Sequence, residues 1–354
     1  MPRPITPVKS KVKALESYGA VDLHFHGAFG IDLMTASHSQ LDELSAKLWK
    51  KGIAAFCPTT LSSSRNDLQQ AVENLGRWIR SKNHPGAIPL GIHLEGPFLN
   101  SDASGAHPVP LLRKLEMAEL DRLWNASQET LKLITLAPES LSLAQLKKLT
   151  AWSKARKITL AIGHSQATQA QAQQALDAGF SGVTHAWNAL PFHHRAPGVL
   201  GAALGRSKTH VEIILDQIHV DPVLVRWTQK LHPNGLCFVS DCAPAAATSG
   251  SSWHSFGPLQ VRFHQGACRV RSGTLAGGGK ILTDAFSEWV QTEAQADGRN
   301  LQQTLLMNLP HLTEYPLKAL GIPISRLKNR KICWISTDDF QSFHAQPLTK
   351  LQLT

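Results

Sequence analysis

The 354-residue chain has little of what would place it in a membrane, a disulfide scaffold or a dinucleotide-binding fold. No window is apolar enough to span a bilayer, and the opening Met1-Pro2-Arg3-Pro4 lacks the charged-then-apolar pattern of a signal peptide, so the expected location is the cytoplasm. The five cysteines (Cys57, Cys237, Cys242, Cys268 and Cys333) form no CxxC pair and are odd in number, which argues against a disulfide framework or a structural zinc cluster. No glycine-rich phosphate fingerprint follows an early strand, so an open doubly wound sheet is not indicated. Internal repeats, low-complexity tracts and nucleic-acid-binding motifs are absent as well. Acidic residues are scarce, 26 against 36 basic ones, giving a formal charge of +10. Such a surplus suits an anionic partner, and charge alone leaves two readings open, a solvated basic surface or a basic pocket for phosphate. The only local basic run, Lys9, Lys11 and Lys13, is short, and neither nucleic acid nor a membrane is an expected partner.

What is present is a regular alternation. Apolar, strand-like runs lie near Ala20–His26, Ile53–Thr59, Ile88–Glu95, Leu131–Ala137, Ile158–His164, Gly182–His185, Val211–Asp216 and Leu236–Asp241. Between them, Leu41–Lys50, Asp67–Arg80, Leu115–Trp124, Leu143–Arg156, Ala167–Ala178 and Pro222–Lys230 mostly carry apolar residues at three- and four-residue spacing, the mark of amphipathic helices. Ser165 or Thr168 would cap the helix after His164. Strands separated by helices imply a parallel sheet, and eight of them fit a (β/α)8 barrel of α/β class, for which the chain is long enough with a small appendage left over.

The same runs carry the chemistry. In Val21-Asp22-Leu23-His24-Phe25-His26-Gly27 the alternation of a strand points His24 and His26 the same way, which suits a metal, although a His-rich strand end with satisfied side chains reads the same way in isolation. Downstream, Glu95, His164, His185 and Asp241 each close an apolar run. In a (β/α)8 barrel the carboxyl ends of the strands are where catalytic groups collect. His93 shares a face with Glu95, and it stays ambiguous together with His193 and His194. Cys242, next to Asp241, is either a packed thiol or a neighbour of the site.

In order and spacing, the segments Asp22-Leu23-His24-Phe25-His26-Gly27, His93-Leu94-Glu95-Gly96-Pro97-Phe98-Leu99-Asn100, Gly163-His164-Ser165, Thr184-His185-Ala186-Trp187-Asn188-Ala189-Leu190, His193-His194-Arg195-Ala196-Pro197-Gly198, Asp216-Gln217-Ile218-His219-Val220, Ser240-Asp241 and Gly273-Thr274-Leu275-Ala276-Gly277 resemble the N-acetylglucosamine-6-phosphate deacetylase family of the amidohydrolase superfamily. The resemblance implies a metal-dependent amide hydrolase that removes the acetyl group from N-acetyl-D-glucosamine 6-phosphate. It implies one or two divalent ions, zinc first with Fe2+, Co2+ or Ni2+ feasible, held by Glu95, His164 and His185 and, where a His-x-His pair is present, by His24 and His26. Such an ion polarises the acetamide carbonyl and lowers the pKa of its water to about 7. By the same resemblance Asp241 is the general base and acid, and His107 stabilises the tetrahedral oxyanion. Ala106, Asn188, Ala189, Leu275, Ala276 and Gly277 would contact the substrate, and His219 and Arg195 bind the sugar and its phosphate. In the family this arginine reaches across from a neighbouring subunit, so a homodimer is implied.

Several positions depart from the family pattern. Only about twenty residues precede Asp22, fewer than the family's leading β-sandwich needs, so the expected division is a basic segment (1–18), the barrel (19–310) and a C-terminal remnant of the sandwich (311–354). Lys331-Ile332-Cys333-Trp334-Ile335 would supply a strand there. Gln217 stands where glycine is common, Ala196 where an acidic residue follows the arginine, Ser240 and Cys242 flank Asp241 in place of Thr and Ala, and Gly278-Gly279-Lys280 differs beside the sugar loop. These bear on which sugar is bound more than on the reaction. The competing readings are deacetylation of N-acetylgalactosamine 6-phosphate or an N-acyl amino acid, and a catalytically silent barrel that binds a phosphosugar.

Overall fold

Runs of aliphatic and β-branched residues buried on both faces form strands of a sheet that helices cover. The computed structural model describes residues 14–81, 83–337 and 342–348, so Met1–Pro4 and the Lys9, Lys11, Lys13 run lie outside the described residues. The strands Ala20–Phe25, Ile53–Thr60, Ile92–Glu95, Leu131–Leu136, Thr159–Ile162, Gly182–Val183, His210–Ile214 and Leu236–Val239 are parallel and hydrogen-bonded in sequence order. Around the seam the Asp241 amide donates to the His24 carbonyl at 3.0 Å, and Phe25 bridges Cys242. The result is a nearly closed eight-strand barrel, as the alternation predicts.

Helices His38–Lys50, Arg65–Arg80, Met117–Ala126, Leu143–Arg156, Gln169–Ala178 and Pro222–Leu231 fall within a turn of the expected stretches. Of the two caps considered after His164, Thr168 is used. Its hydroxyl accepts from the Gln171 amide while the Gln171 side chain returns to the Thr168 backbone, whereas Ser165 donates instead to Glu139 at 2.6 Å. Outside the barrel wall, Phe56, Trp78, Leu44 and Leu75 belong to the large core between sheet and helices. Its lower interior is filled by Val21, Leu23, Ala55, Cys57 and Leu133 packed with Leu317, Leu320 and Leu327, so the helix Glu314–Ala319 and the turn after it plug the floor.

Besides a two-stranded hairpin of Gly27–Ala28 and Ile31–Asp32, two larger antiparallel sheets lie outside the barrel among the described residues. Ala14–Tyr18, Lys331–Thr337 and Ser342–Pro347 form a β appendage built from both ends of the chain, seated through buried Trp334, whose ring lies 5.3 Å from that of Phe286. The second sheet, His254–Phe256, Leu259–His264, Ala267–Val270 and Leu275–Gly278, follows the eighth barrel strand and lies at its mouth. No helix among the described residues is long and apolar enough to cross a membrane.

Candidate active site

Five strands deliver polar side chains to one cavity of about 210 Å³ at their carboxyl ends. His24 and His26 come from the first strand, where the pairing register shifts between Asp22 and Phe25; such a bulge re-aims side chains, and here the two Nε2 atoms lie 3.1 Å apart. Glu95 ends the third strand, His164 and His185 follow the fifth and sixth, and Asp241 follows the eighth. His164, His185 and Asp241 all have left-handed backbones, with φ of 47°, 30° and 50°. Non-glycine residues held there cost on the order of 1–3 kcal/mol each, a cost that clusters at functional sites.

Glu95 is the hub. Its Oε1 lies 3.0 Å from His185 Nε2 and 3.3 Å from His164 Nε2, and its Oε2 lies 3.4, 3.2 and 3.3 Å from the Nε2 atoms of His24, His26 and His107. Asp241 Oδ1 is 3.3 Å from both His24 and His26. Burial alone would raise both carboxylates. The imidazoles around them, His24 foremost, instead hold Glu95 and Asp241 well below the usual carboxylate range. Two ligand groups emerge, Glu95 with His164 and His185, and His24 with His26 and Asp241, each with its donor atoms within 4.8 Å of one another. The tautomers favour a cation too. His164 Nδ1 lies 2.8 Å from the Ala103 carbonyl, which can only accept, so the lone pair of His164 sits on Nε2 and faces His185 Nε2 at 3.0 Å. Converging lone pairs and carboxylates are a donor set that a divalent ion fits.

His107 stands at the edge of this cluster. The Ser62 amide donates to its Nδ1 at 3.4 Å, leaving Nε2–H to point at Glu95, and burial brings its pKa down to about 4, so it is a neutral donor at pH 7. Opposite, His219 gives Nδ1–H to Asp216 at 2.7 Å, and Asp216 also accepts from the amides of Ile218 and His219. Ala106, Asn188, Ala189, Leu275, Ala276 and Gly277 line the same cavity. The glycine is required, because a Cβ at Gly277, whose φ is +102°, would sit 2.5 Å from the Asp241 carbonyl.

Of the expected site residues, His24 lies fully buried beneath His26, and Arg195 lies apart. Arg195 is exposed on the loop before Gly198 and does not line the cavity, and among the described residues no lysine or arginine does. His193 and His194 are exposed on the same loop. His93 is engaged inside the barrel, 2.7 Å from the Thr135 hydroxyl, and burial brings its pKa down to about 3. Cys242 is a packed thiol that donates to the Lys280 carbonyl at 2.9 Å. Gln217, where the family favours glycine, has φ +62° and accepts from the Thr292 hydroxyl. Three neighbours escape the motif reading: Ser62, Phe256, whose ring is 5.2 Å from that of His26, and Asp216 as the partner of His219.

The barrel, with carboxylates and imidazoles from successive strand ends meeting at its mouth, has the architecture of the amidohydrolase superfamily. No protein-family model matches the chain. Individual relatives do. An Escherichia coli N-acetylgalactosamine-6-phosphate deacetylase is 34% identical over 85% of this chain and 77% of its own length, and a Bacillus subtilis N-acetylglucosamine-6-phosphate deacetylase is 34% identical over 78% and 70%. The solved structure of a Mycobacterium smegmatis N-acetyl-D-glucosamine-6-phosphate deacetylase variant in complex with N-acetyl-D-glucosamine-6-phosphate superposes with a TM-score of 0.81 at 26% identity, covering 93% of this chain and 84% of that one. The chain belongs to the N-acetylglucosamine-6-phosphate deacetylase family.

Proposed function

We propose that the chain hydrolyses N-acetyl-D-glucosamine 6-phosphate to D-glucosamine 6-phosphate and acetate. The observation that carries this is the meeting of Glu95, His164, His185, His26 and Asp241 in one cavity with His107 and His219, inside the family just named. Glu95, His164 and His185 would hold one divalent ion and His24, His26 and Asp241 a second, zinc best matching this mixture of imidazole and carboxylate. When bound, the ion supplies Lewis acidity at the acetyl carbonyl and a water whose pKa is lowered to about 7. Asp241 takes a proton from the attacking water and returns one to the sugar nitrogen as the C–N bond breaks. His107 gives its Nε2–H to the acetyl oxygen as charge gathers there. His219, oriented by Asp216, holds the sugar, with Ala106, Asn188, Ala189 and Leu275–Gly277 shaping its bed.

A phosphate calls for a cation, and among the described residues the cavity of one chain is lined by no lysine or arginine. Arg195 on its exposed loop fits that need if it enters the cavity of a second copy, where its fork can meet two phosphate oxygens. Beside the loop runs an apolar groove lined by Trp187, Leu190, Phe192, Leu200, Leu204 and Trp227, with Phe192 52% and Trp227 56% exposed. Apolar surface of this kind beside the loop supports the homodimer reading. Five free thiols and the absence of a membrane-spanning helix among the described residues are in keeping with a cytoplasmic enzyme.

The galactosamine epimer is the second reading, favoured by the Escherichia coli relative. The test is amine release by zinc-loaded protein from N-acetylglucosamine 6-phosphate, its unphosphorylated form, N-acetylgalactosamine 6-phosphate and an N-acetyl amino acid. Turnover led by the first supports the proposal. A lead for the galactosamine epimer moves specificity to Gln217 and the glycine loop, and zinc bound without turnover of any substrate leaves a phosphosugar-binding barrel.

A further inference from the structure

Glu212 lies in the seventh barrel strand among Val211, Ile213 and Ile214, with none of its surface exposed. Neither of its carboxylate oxygens has a hydrogen-bond partner among the described residues. A buried unpaired carboxylate is costly, so a chain retains one where another charge answers it. Two imidazole nitrogens face it, His24 Nδ1 at 3.5 Å from Oε2 and His210 Nε2 at 4.0 Å from Oε1. His24 Nδ1 is itself without a partner, while its Nε2 faces His26 at 3.1 Å and Asp241 at 3.3 Å.

We propose that Glu212 is a positioning residue for the inner cation pocket of His24, His26 and Asp241. Its carboxylate faces His24 Nδ1 at 3.5 Å, and the negative charge there favours the tautomer with the proton on Nδ1, which leaves the Nε2 lone pair free toward His26 and Asp241. It also sets a third buried negative charge behind the two carboxylates, Glu95 and Asp241, that face the cations. Carboxylates behind metal-ligating histidines orient the ring and raise its basicity, and losing one typically costs 10–100-fold in metal affinity. The proposal rests on the reading of that trio as a cation site. A purely scaffolding role fits poorly, because among the described residues Glu212 makes no side-chain hydrogen bond that its removal would break.

The experiment compares wild type with Glu212→Gln, Glu212→Ala and His24→Asn, each stripped of metal and reloaded with zinc. Readouts are ions per chain by mass spectrometry, stepwise affinities by competition with a chromophoric chelator, visible spectra of the cobalt forms, and melting of the metal-free chains. Expected for Glu212→Gln is a metal-free melting temperature no lower than wild type, an unchanged first ion, a second ion bound 10–100-fold more weakly, and an altered cobalt spectrum for that ion. Two ions bound by Glu212→Gln with wild-type affinity and spectrum overturn the proposal. So does a fall in metal-free melting with both affinities reduced alike, which marks a scaffolding role. Should Glu212→Ala fail to fold, the near-isosteric Gln variant carries the test. If His24→Asn keeps every ion at full affinity, the cation-site reading itself is wrong. If it loses the second ion while Glu212→Gln does not, only the role of Glu212 is.

Discussion

Replacing Asp241 by asparagine removes the proposed base while leaving the Glu95, His164 and His185 ligand group intact. The two contacts that seat residue 241 are main-chain ones, its amide to the His24 carbonyl at 3.0 Å and its carbonyl from the Gly278 amide at 2.7 Å, and neither depends on the carboxylate. Asparagine also tolerates the left-handed backbone, at φ 50°, as readily as aspartate does. The barrel seam should therefore hold, and the ion on Glu95, His164 and His185 should stay, because Asp241 is not among its ligands. What is lost is the carboxylate that borders the cavity and faces His24 and His26 from the eighth strand, and with it one ligand of the proposed second ion. General acid–base groups contribute typically 10²–10⁴-fold, about 3–5 kcal/mol of barrier. The assay is steady-state amine release from N-acetylglucosamine 6-phosphate, with metal content and melting measured on the same preparation. The expected result is kcat lower by at least a hundredfold with KM within about threefold. A kcat within tenfold of wild type in a folded, metal-loaded variant would refute the assignment of Asp241 as the base.

Arg195→Ala should raise KM for the phosphorylated sugar roughly tenfold to a hundredfold, the usual worth of a charge-assisted hydrogen bond, with kcat little changed and no effect on an unphosphorylated substrate; equal effects on both substrates would remove the phosphate role. Trp227→Glu places a charge in the apolar groove and should yield monomers by sedimentation with KM raised in the same direction; a wild-type protein that is already monomeric at assay concentration contradicts the dimer reading. The His219–Asp216 pair predicts a pH effect. Burial would lower His219, but the Asp216 hydrogen bond and charge raise it above 6.5, while the same contact, against burial, holds Asp216 below 3.8. The ion pair's contribution is thus full between those ordinary values, fading as pH rises through the raised histidine value and as it falls through the lowered aspartate value. Asp216→Asn should move the alkaline rise in KM to lower pH, and an unmoved profile means the contact does not act on substrate.

Much of this was readable from the chain because the barrel repeats one rule eight times. Most of the buried strands are largely apolar, so a polar residue at the carboxyl end of such a run is conspicuous, and Glu95, His164, His185 and Asp241 are all of that kind. The four-stranded sheet at the mouth was harder to see. Gly257-Pro258, Gln265-Gly266 and Ser272-Gly273 punctuate it as hairpin turns, but its strands are short and half-exposed, so neither apolar runs nor helical spacing marks them. The floor plug was missed for another reason: Leu317, Leu320 and Leu327 meet Val21 and Leu23 across nearly the whole length of the chain, and local pattern carries no such information.

Glu212 shows where the strand-end rule can be extended. In His210-Val211-Glu212-Ile213-Ile214-Leu215 the run continues on both sides of the charge, so the residue cannot be a strand end, and a strand covered on both faces gives it no solvent. A carboxylate in that position needs a cationic answer from another strand. The first strand offers the answer here, because His24 faces Glu212 through Nδ1 and the proposed cation pocket through Nε2. A charge in the middle of a buried run is therefore a cue of the same physical origin as one at its end, pointing to the groups that stand behind the ligands.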